Sequence, residues 1–117
     1  MHNPNAGKLV FISGPYRSDT IHGIVENIRR AEQAAIECWK RGYTVFCPHK
    51  NTSLLDGVLP DRIWLAGAIE ILTRCDILAQ MDGWERSSGS VEERNVALIE
   101  MITIKSMKEI MNEPVLY

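Results

Sequence analysis

The sequence predicts an α/β fold in which a mostly parallel sheet of four or five strands is covered by helices on both faces. The chain has 117 residues, which is about one domain long, and we expect residues 1–117 to form a single domain. Short apolar runs rich in strand-forming residues alternate with longer stretches of helical periodicity. Strands that are separated by helices are joined by right-handed crossovers, so the strands are expected to be parallel.

The first half of the chain predicts two strands and one long helix. The first strand is the apolar run of residues 9–12, which stops at Ser13-Gly14-Pro15. A helix is predicted from about residue 21 to 41, with Gly42 after its C-terminal end. Its apolar and small residues recur at helical spacing at Ile24, Ile28, Ala31, Ala35 and Trp39. A second strand is predicted over residues 43–47, ending at Pro48.

The second half continues the alternation. After the loop of residues 51–57, a second helix is predicted from Pro60 or Asp61 to Arg74. A third strand is expected over residues 76–81. A third helix is expected to begin at Ser90 and to reach about Met101 or beyond. The last four residues, 114–117, are predicted as a final edge strand.

Composition excludes several classes of function. The formal net charge of −2 disfavours binding to a nucleic acid polymer, which needs a basic face. The N-terminus resembles no secretory signal, and no window approaches about 18 uninterrupted apolar residues, so we expect a soluble cytoplasmic protein with no membrane partner. Three widely spaced cysteines without a CxxC pair predict neither disulfides nor a zinc site, and we expect no metal and no cofactor.

Ligands of open parallel sheets bind beyond the carboxyl ends of the strands. Three segments fall at that edge: residues 14–17, residues 48–50 and residues 82–90. Gly14 permits a close backbone approach, and Arg17 offers a planar fork for an anion, although most surface arginines are merely solvated. The turn lacks the P-loop lysine and the GxGxxG fingerprint, which disfavours nucleoside triphosphates and NAD. His49, in the second segment, is placed to stack on or hydrogen-bond a base, but a loop histidine without a nearby carboxylate or cysteine is more often structural.

The third segment, Asp82 to Ser90, lies in the stretch GWERSSGSVEER at residues 83–94, which allows two interpretations. Ser90 and Glu93 fit a capping box, in which the serine caps a helix and the glutamate reaches back to the serine amide. The same turn places free backbone amides beside the hydroxyls of Ser87, Ser88 and Ser90, which suits an anion. The residues alone favour the cap over a catalytic carboxylate and leave both open.

A resemblance favours the catalytic interpretation. The segment FISGPYR at residues 11–17, Cys75-Asp76, and the pattern Trp-Glu-x-Ser-x-Gly-x-x-x-Glu-x-x-x-Ala at residues 84–97 resemble the nucleoside 2-deoxyribosyltransferase-like superfamily, and within it the small branch described as DUF4406. The similarity covers about residues 8–101. It implies a flavodoxin-like (Rossmann-like) three-layer sandwich, a nucleoside or nucleoside 5′-monophosphate as the small-molecule partner, and cleavage or transfer at the N-glycosidic bond without a cofactor.

The resemblance also implies site residues. The family's nucleophilic glutamate corresponds to Glu93, with Glu92 as its neighbour. The phosphate-binding arginine and serine of the nucleotide hydrolases correspond to Arg17 and Ser87. The nucleotide-binding set is completed by Gly14, Gly89 and Ser90.

Two departures from the family pattern leave the activity open. Phe11 stands where active members have a tyrosine, and Ala68 where they have an aspartate. Tyr16 is a candidate for the missing hydroxyl. Asp61, seven residues before Ala68, can replace the missing acid only if the N-terminus of its helix faces the pocket. The alternative to an enzyme is therefore an inert nucleotide-binding or sensing domain of the same fold.

Assembly is the last expectation. The apolar stretch that follows the third helix exceeds what a chain of this length buries alone. Family members form dimers or larger oligomers, so the resemblance points the same way. Residues 98–112 are expected to lie in a homo-oligomeric interface beside the pocket.

Overall fold

The computed structural model describes residues 2–117, and its centre is a four-stranded sheet. The strands are β1 (Leu9–Ser13), β2 (Thr44–Phe46), β3 (Ile77–Gln80) and β4 (Thr103–Ser106). Their order is β2-β1-β3-β4, and every neighbouring pair is parallel. The strand order therefore reverses between β1 and β3, where a crevice forms beyond the strand ends.

Five helices connect and cover the strands: α1 (Ile21–Lys40), α2 (Pro48–Asn51), α3 (Asp61–Leu72), α4 (Ser88–Ile99) and α5 (Met107–Met111), with a 3₁₀ turn at Trp84–Arg86. Thr20 caps α1 by accepting a hydrogen bond from the Gly23 amide at 2.9 Å. Gly42, two residues after α1, has a φ of +91°, a conformation that favours glycine. Over residues 2–117, no helix combines the length and apolar character needed to cross a bilayer.

The sheet divides the core into two halves because successive strand residues point to opposite faces. Val10 and Ile12 of β1 pack with α1 and α5. Phe11, between them in sequence, packs on the other face with Leu72 of α3 and Ala97 of α4. Helices thus lie on both sides of one parallel sheet, which confirms the predicted three-layer α/β sandwich.

One predicted strand is wrong, and one predicted helix is confirmed with a different start. The fourth strand is Thr103–Ser106 and not residues 114–117, because α4 ends at Ile99 and the chain turns at Met101, whose φ is +60°. Ile102 and Ile104, which appeared to be surplus apolar residues, pack against the core. The third predicted helix also begins earlier, at Ser88 instead of Ser90.

The C-terminal residues are tied to the end of α1 rather than to the sheet edge. Arg41, with a side chain only 4% exposed, donates to the main-chain oxygens of Met111 and Glu113 at 3.1 Å each. The carboxylate of Glu113 accepts from the Tyr43 hydroxyl at 2.5 Å and from Lys105 Nζ at 2.8 Å. A buried guanidinium bonded to the main chain at two tail residues fixes the tail without strand pairing.

Candidate active site

A cavity of about 810 Å³ lies beyond the carboxyl ends of the strands. Its walls come from the turn after β1, from α2 and the loop after it, from the first turn and much of the rest of α3, and from the first turns of α4. Its volume is in the range of small-molecule sites. All three segments that the sequence placed at the ligand edge contribute to it, since Gly14, His49 and Ser87 are among its lining residues.

Glu93 is the buried carboxyl group of this cavity. It lies in the second turn of α4 and is 7% exposed. The Ser13 hydroxyl, at the end of β1, donates a hydrogen bond to Glu93 Oε1 at 2.6 Å. Burial raises the pKa of Glu93 to about 7, against the lowering effect of the Ser13 bond, and the charge of Glu92 adds to the rise. Near neutral pH this carboxyl group therefore exists in both protonation states.

The predicted capping box at Ser90 and Glu93 is wrong. The residue that caps α4 is Ser87, whose hydroxyl accepts from the Ser90 amide at 3.2 Å. Glu93 consequently lies inside the helix, too far along to reach a cap, and its side chain turns to Ser13. Because helix capping does not account for Glu93, the structural interpretation that the sequence favoured loses its basis. A capping box does occur elsewhere, at Ser106 and Glu109 of α5.

The N-terminus of α4 presents polar groups to the cavity. Within residues 2–117, the amides of Ser88 and Gly89 donate to no protein acceptor. Ser90 lines the cavity and is 2% exposed. Its hydroxyl has no hydrogen-bond partner among residues 2–117. Free amides at a helix N-terminus together with a buried hydroxyl suit an anionic group.

Arg17 is bound by two carboxylates at the cavity mouth. Its guanidinium forms ion pairs with Asp56, in the loop before α3, and with Asp61, the first residue of α3. The Tyr16 hydroxyl donates to Asp56 at 2.6 Å, and this bond lowers the pKa of that carboxyl group. Arg17 is half exposed, so these pairs are weak enough to exchange with another anion.

The other predicted site residues all line the cavity. Gly14 lines the cavity, and it packs closely on the core, because a Cβ atom at this position would lie 2.5 Å from Met81 Sδ. Asp61 faces the cavity, and so does Ala68 two turns later on α3. Gly89 also lines the cavity. Tyr16 lies at the cavity, but its hydroxyl contacts Asp56 and not Glu93.

Sequence reasoning missed Ser13 and Trp64. Ser13 follows Phe11 by two residues in β1, so both face the α3–α4 side, with Ser13 nearer the cavity. Strand alternation could have identified it as a hydroxyl close to the predicted nucleophile. Trp64 lines the cavity and lies on α3, three residues after Asp61 and four before Ala68. This helical spacing places the three residues on one side of the helix, so it could have identified Trp64 from the sequence. Phe11 itself is fully buried in the core.

No group of three or more histidine, cysteine, aspartate or glutamate side chains in residues 2–117 is arranged to hold a metal ion. The three cysteines are buried and unpaired, and burial raises the pKa of the Cys38 thiol to about 12. A thiol of this kind is neither a ready metal ligand nor a nucleophile.

Comparison with known proteins supports the fold. The structure superposes on the 2-deoxyribosyltransferase of the psychrotolerant bacterium Bacillus psychrosaccharolyticus with a TM-score of 0.59 and 16% sequence identity, covering 84% of this chain and 70% of that one. That enzyme is described as a biocatalyst for the synthesis of antiviral and antitumoral nucleosides. The likeness establishes a nucleoside 2-deoxyribosyltransferase-like, flavodoxin-like fold.

Sequence comparison agrees at the level of the family. No curated protein sequence matches the chain. The family model of "Domain of unknown function (DUF4406)" matches residues 8–106, which include all four strands and the residues around the cavity. The chain therefore belongs to the DUF4406 family.

Proposed function

We propose that this protein cleaves the N-glycosidic bond of a 2′-deoxynucleoside or its 5′-monophosphate, with Glu93 as the nucleophile. The observation that carries the proposal is a buried carboxyl group in the cavity, held by one hydroxyl at 2.6 Å and with its pKa raised to about 7. Titratable groups with strongly perturbed pKa values inside a cleft mark candidate catalytic residues. The fold shared with a 2-deoxyribosyltransferase supports the substrate class.

The proposed reaction has two steps. The Glu93 carboxylate attacks C1′ of the sugar while the C1′–N bond breaks, and the base leaves with the bonding electrons and takes up a proton. Water then attacks C1′ of the glycosyl ester, restores the carboxylate and gives the free sugar with retention of configuration. If a second base attacks instead of water, the product is a new nucleoside and the protein is a transferase.

Ser13 is the proposed positioning residue for this nucleophile. In the structure, Phe11 is buried in the core and offers no hydroxyl, whereas Ser13, one alternation further along β1, donates directly to Glu93. The bond fixes one carboxylate oxygen and stabilises the charged form. The hydroxyl that the family pattern has at residue 11, and that this chain lacks there, is thus supplied by Ser13.

A phosphate on the substrate has a suitable site at the N-terminus of α4. The amides of Ser88 and Gly89 and the hydroxyl of Ser90 form an anion cradle beside Glu93 in the same cavity. Arg17 adds positive charge at the mouth but must exchange Asp56 or Asp61 for the incoming anion. We therefore propose that the cradle binds the phosphate first and that Arg17 reinforces it.

A binding domain without activity is the second candidate, and one observation favours it. Asp61, the proposed replacement for the acid missing at Ala68, is paired with Arg17 at the cavity mouth and makes no contact with Glu93. The other nearby aspartate, Asp56, has a lowered pKa and is a poor proton donor. Loss of a positioned acid typically costs about 10²-fold or more in rate. A protein with the cradle but no acid would bind nucleotides and turn them over slowly.

Release of free base separates the two candidates. The protein is incubated with each 2′-deoxynucleoside and each 5′-monophosphate, with and without a second base, and the products are resolved by chromatography. We expect base release by the parent protein, loss of release in Glu93→Gln, and near-parent release in Glu92→Gln, whose carboxylate lies on the exposed side of α4. Mass spectrometry of the quenched reaction should show the glycosyl adduct on Glu93.

Equal release by the parent and Glu93→Gln would remove Glu93 from the mechanism. Tight nucleotide binding without release of base from any substrate would favour the binding domain.

Further proposals concern the setting of the reaction. We propose that residues 1–117 act as one domain and that the protein assembles as a homodimer or higher oligomer through residues 98–112. Leu98, Ile99 and Met101 support this, because all three are exposed at the end of α4. The three unpaired cysteines fit a reducing compartment such as the cytoplasm.

A further inference from the structure

The loop between α2 and α3, residues 52–60, borders the cavity and has little regular structure of its own. Its main-chain hydrogen bonds include two turns, from the Leu55 amide to Thr52 and from the Val58 amide to Leu55, at 3.2 and 3.1 Å. Leu54 has a φ of +65°, an unfavourable conformation for a residue with a side chain, and it is 71% exposed. Such a loop depends on contacts with the rest of the molecule to keep its place.

Asp56 is the side chain that anchors this loop. It lines the cavity, and its two carboxylate oxygens are bound by two consecutive residues of the turn after β1. Tyr16 donates its hydroxyl to Oδ1 at 2.6 Å, and the Arg17 guanidinium donates to Oδ2. Within residues 2–117, no other side chain of residues 53–60 forms a hydrogen bond or an ion pair. The polar side-chain attachment of the loop is therefore this one carboxylate.

The contacts of Asp56 are those of a bound anion. A guanidinium and a hydroxyl that hold both oxygens of one anionic group form the kind of site that also binds a phosphate. The bond from Tyr16 lowers the pKa of Asp56, so the carboxylate is charged at neutral pH. Of the two carboxylates on Arg17, Asp56 is the less exposed, at 30% of its side chain against 67% for Asp61. The anion site after β1 is thus filled by the protein's own carboxylate.

An incoming phosphate cannot join this cluster unless a carboxylate leaves. Arg17 is already paired with two carboxylates, so the cluster holds one positive and two negative charges, and a further anion would be repelled. Asp61 is the first residue of α3 and is fixed by its helix, whereas Asp56 belongs to a loop with no other polar side-chain attachment. Asp56 is therefore the group that leaves, and its departure frees the loop.

We propose that Asp56 is an internal competitor of the ligand's phosphate for the site formed by Tyr16 and Arg17, and that a phosphate-bearing ligand displaces it and releases residues 52–60. The exchange replaces one anion by another on the same two donors, so neither donor is left unpaired. Asp56 is then a specificity-determining residue, because it weakens the binding of monophosphates and leaves nucleosides unaffected. The proposal rests on the proposed function for the nucleoside part of the ligand, and on the contacts of Asp56 for the phosphate.

The first test measures affinity by calorimetry in a Glu93→Gln background, which prevents turnover. The probes are the common 2′-deoxynucleoside 5′-monophosphates, the matching nucleosides, and inorganic phosphate. Asp56→Asn keeps the size of the side chain and an acceptor for Tyr16, but it loses the charge that competes for Arg17. Because partly exposed ion pairs are weak, we expect monophosphates to bind Asp56→Asn about threefold more tightly and nucleosides to bind equally with and without the substitution.

The second test measures amide hydrogen exchange of residues 53–59 by mass spectrometry. A saturating monophosphate should speed exchange in this segment, whereas an ordinary ligand slows exchange beside its site. Sodium chloride at the same ionic strength controls for screening of the ion pairs. Asp61→Asn is the matched variant, because it removes the other carboxylate from Arg17 but lies outside the loop. Without ligand, its exchange in residues 53–59 should equal that of the parent, whereas exchange in Asp56→Ala should be faster.

Three results would overturn the competition: monophosphate affinity that is unchanged or lower in Asp56→Asn, exchange of residues 53–59 that slows when a monophosphate binds, or no binding of any phosphate-bearing probe. If inorganic phosphate acts as strongly as the monophosphates, the competition stands with free phosphate as the ligand. If only the monophosphates act, it stands with a nucleotide as the ligand.

The assay for release of base is separate from both tests. If no substrate is cleaved but affinity and exchange change as expected, the proposed catalysis fails and the competition stands. If Glu93 cleaves substrates but Asp56→Asn changes no affinity, only the competition fails.

Discussion

Replacing Glu93 with glutamine should make the protein more stable at alkaline pH. The buried carboxyl group has a pKa of about 7 in the folded protein, against an ordinary value of 4.5. A raised pKa means that folding favours the protonated form. The stability associated with protonation is complete below about pH 4.5 and is lost as the pH rises through 7. Glutamine is neutral at all these values and can still accept the Ser13 hydrogen bond.

The magnitude follows from the two pKa values. The gap between 4.5 and about 7, at about 1.36 kcal/mol per pH unit, corresponds to about 3 kcal/mol. Since Glu93 is 7% exposed, solvent screening reduces this figure little. Relative to the parent, Glu93→Gln should gain little at pH 5 and about 3 kcal/mol at pH 8. That gain is a large part of the total stability of a small domain.

Urea unfolding at half-unit steps from pH 5 to pH 8 measures the difference directly. Other titrating groups contribute equally to both proteins, so they cancel in the comparison. Glu92→Gln is the control, because it removes a neighbouring but exposed carboxylate and should show a nearly flat difference. Parallel curves for the parent and Glu93→Gln would show that Glu93 is not held in an environment that opposes its charge, and the argument for a tuned nucleophile would fail.

Three further predictions concern tuning, substrate and assembly. Ser13→Ala removes a bond that favours the charged form of Glu93, so the midpoint of the pH–rate profile should move up by about 1 pH unit; an unmoved midpoint would contradict a positioning role. A 2′-deoxynucleoside 5′-monophosphate should bind at least about tenfold more tightly than its nucleoside, and Arg17→Gln should reduce this ratio in calorimetry; equal binding of the two ligands would restrict the substrate to free nucleosides. Light scattering coupled to size exclusion should give a mass above 13.2 kDa for the chain, and Met101→Asp should lower it, whereas a monomeric parent would exclude an interface at residues 98–112.

The fold was largely predictable because its signals are local. Apolar strand runs, the helical periodicity of α1 and the glycine after it need only neighbouring residues, and the structure confirms them. The last strand was not predictable in the same way. Residues 103–106 continue an apolar stretch that suits a helix as well as a strand, and the reversal at Met101, a residue with a positive φ, has no sequence signal. Tertiary pairing with β3 decides between the two.

The candidate site was predictable in its location and not in its contacts. Topology places Gly14, His49 and Ser87 at one edge, and they line one cavity. The partner of a side chain, however, depends on distances that no local pattern contains. Ser87 caps α4 in place of Ser90, which frees Glu93 to meet Ser13. Arg17 is likewise held by two aspartates from a distant loop and helix.

The hydrogen bond between Ser13 and Glu93 joins residues 80 positions apart, and this separation has a consequence for synthesis on the ribosome. The first strand leaves the exit tunnel long before α4 exists. Its neighbours α1 and β2 are made early, but its other neighbour β3 begins only at Ile77. Phe11, which is fully buried against α3 and α4 in the folded protein, therefore stays uncovered for most of translation. Contacts of such long range form slowly, and exposed apolar strands associate with other chains. Newly made chains should therefore depend on chaperones until β3 emerges, and the cavity closes only among the last events of folding.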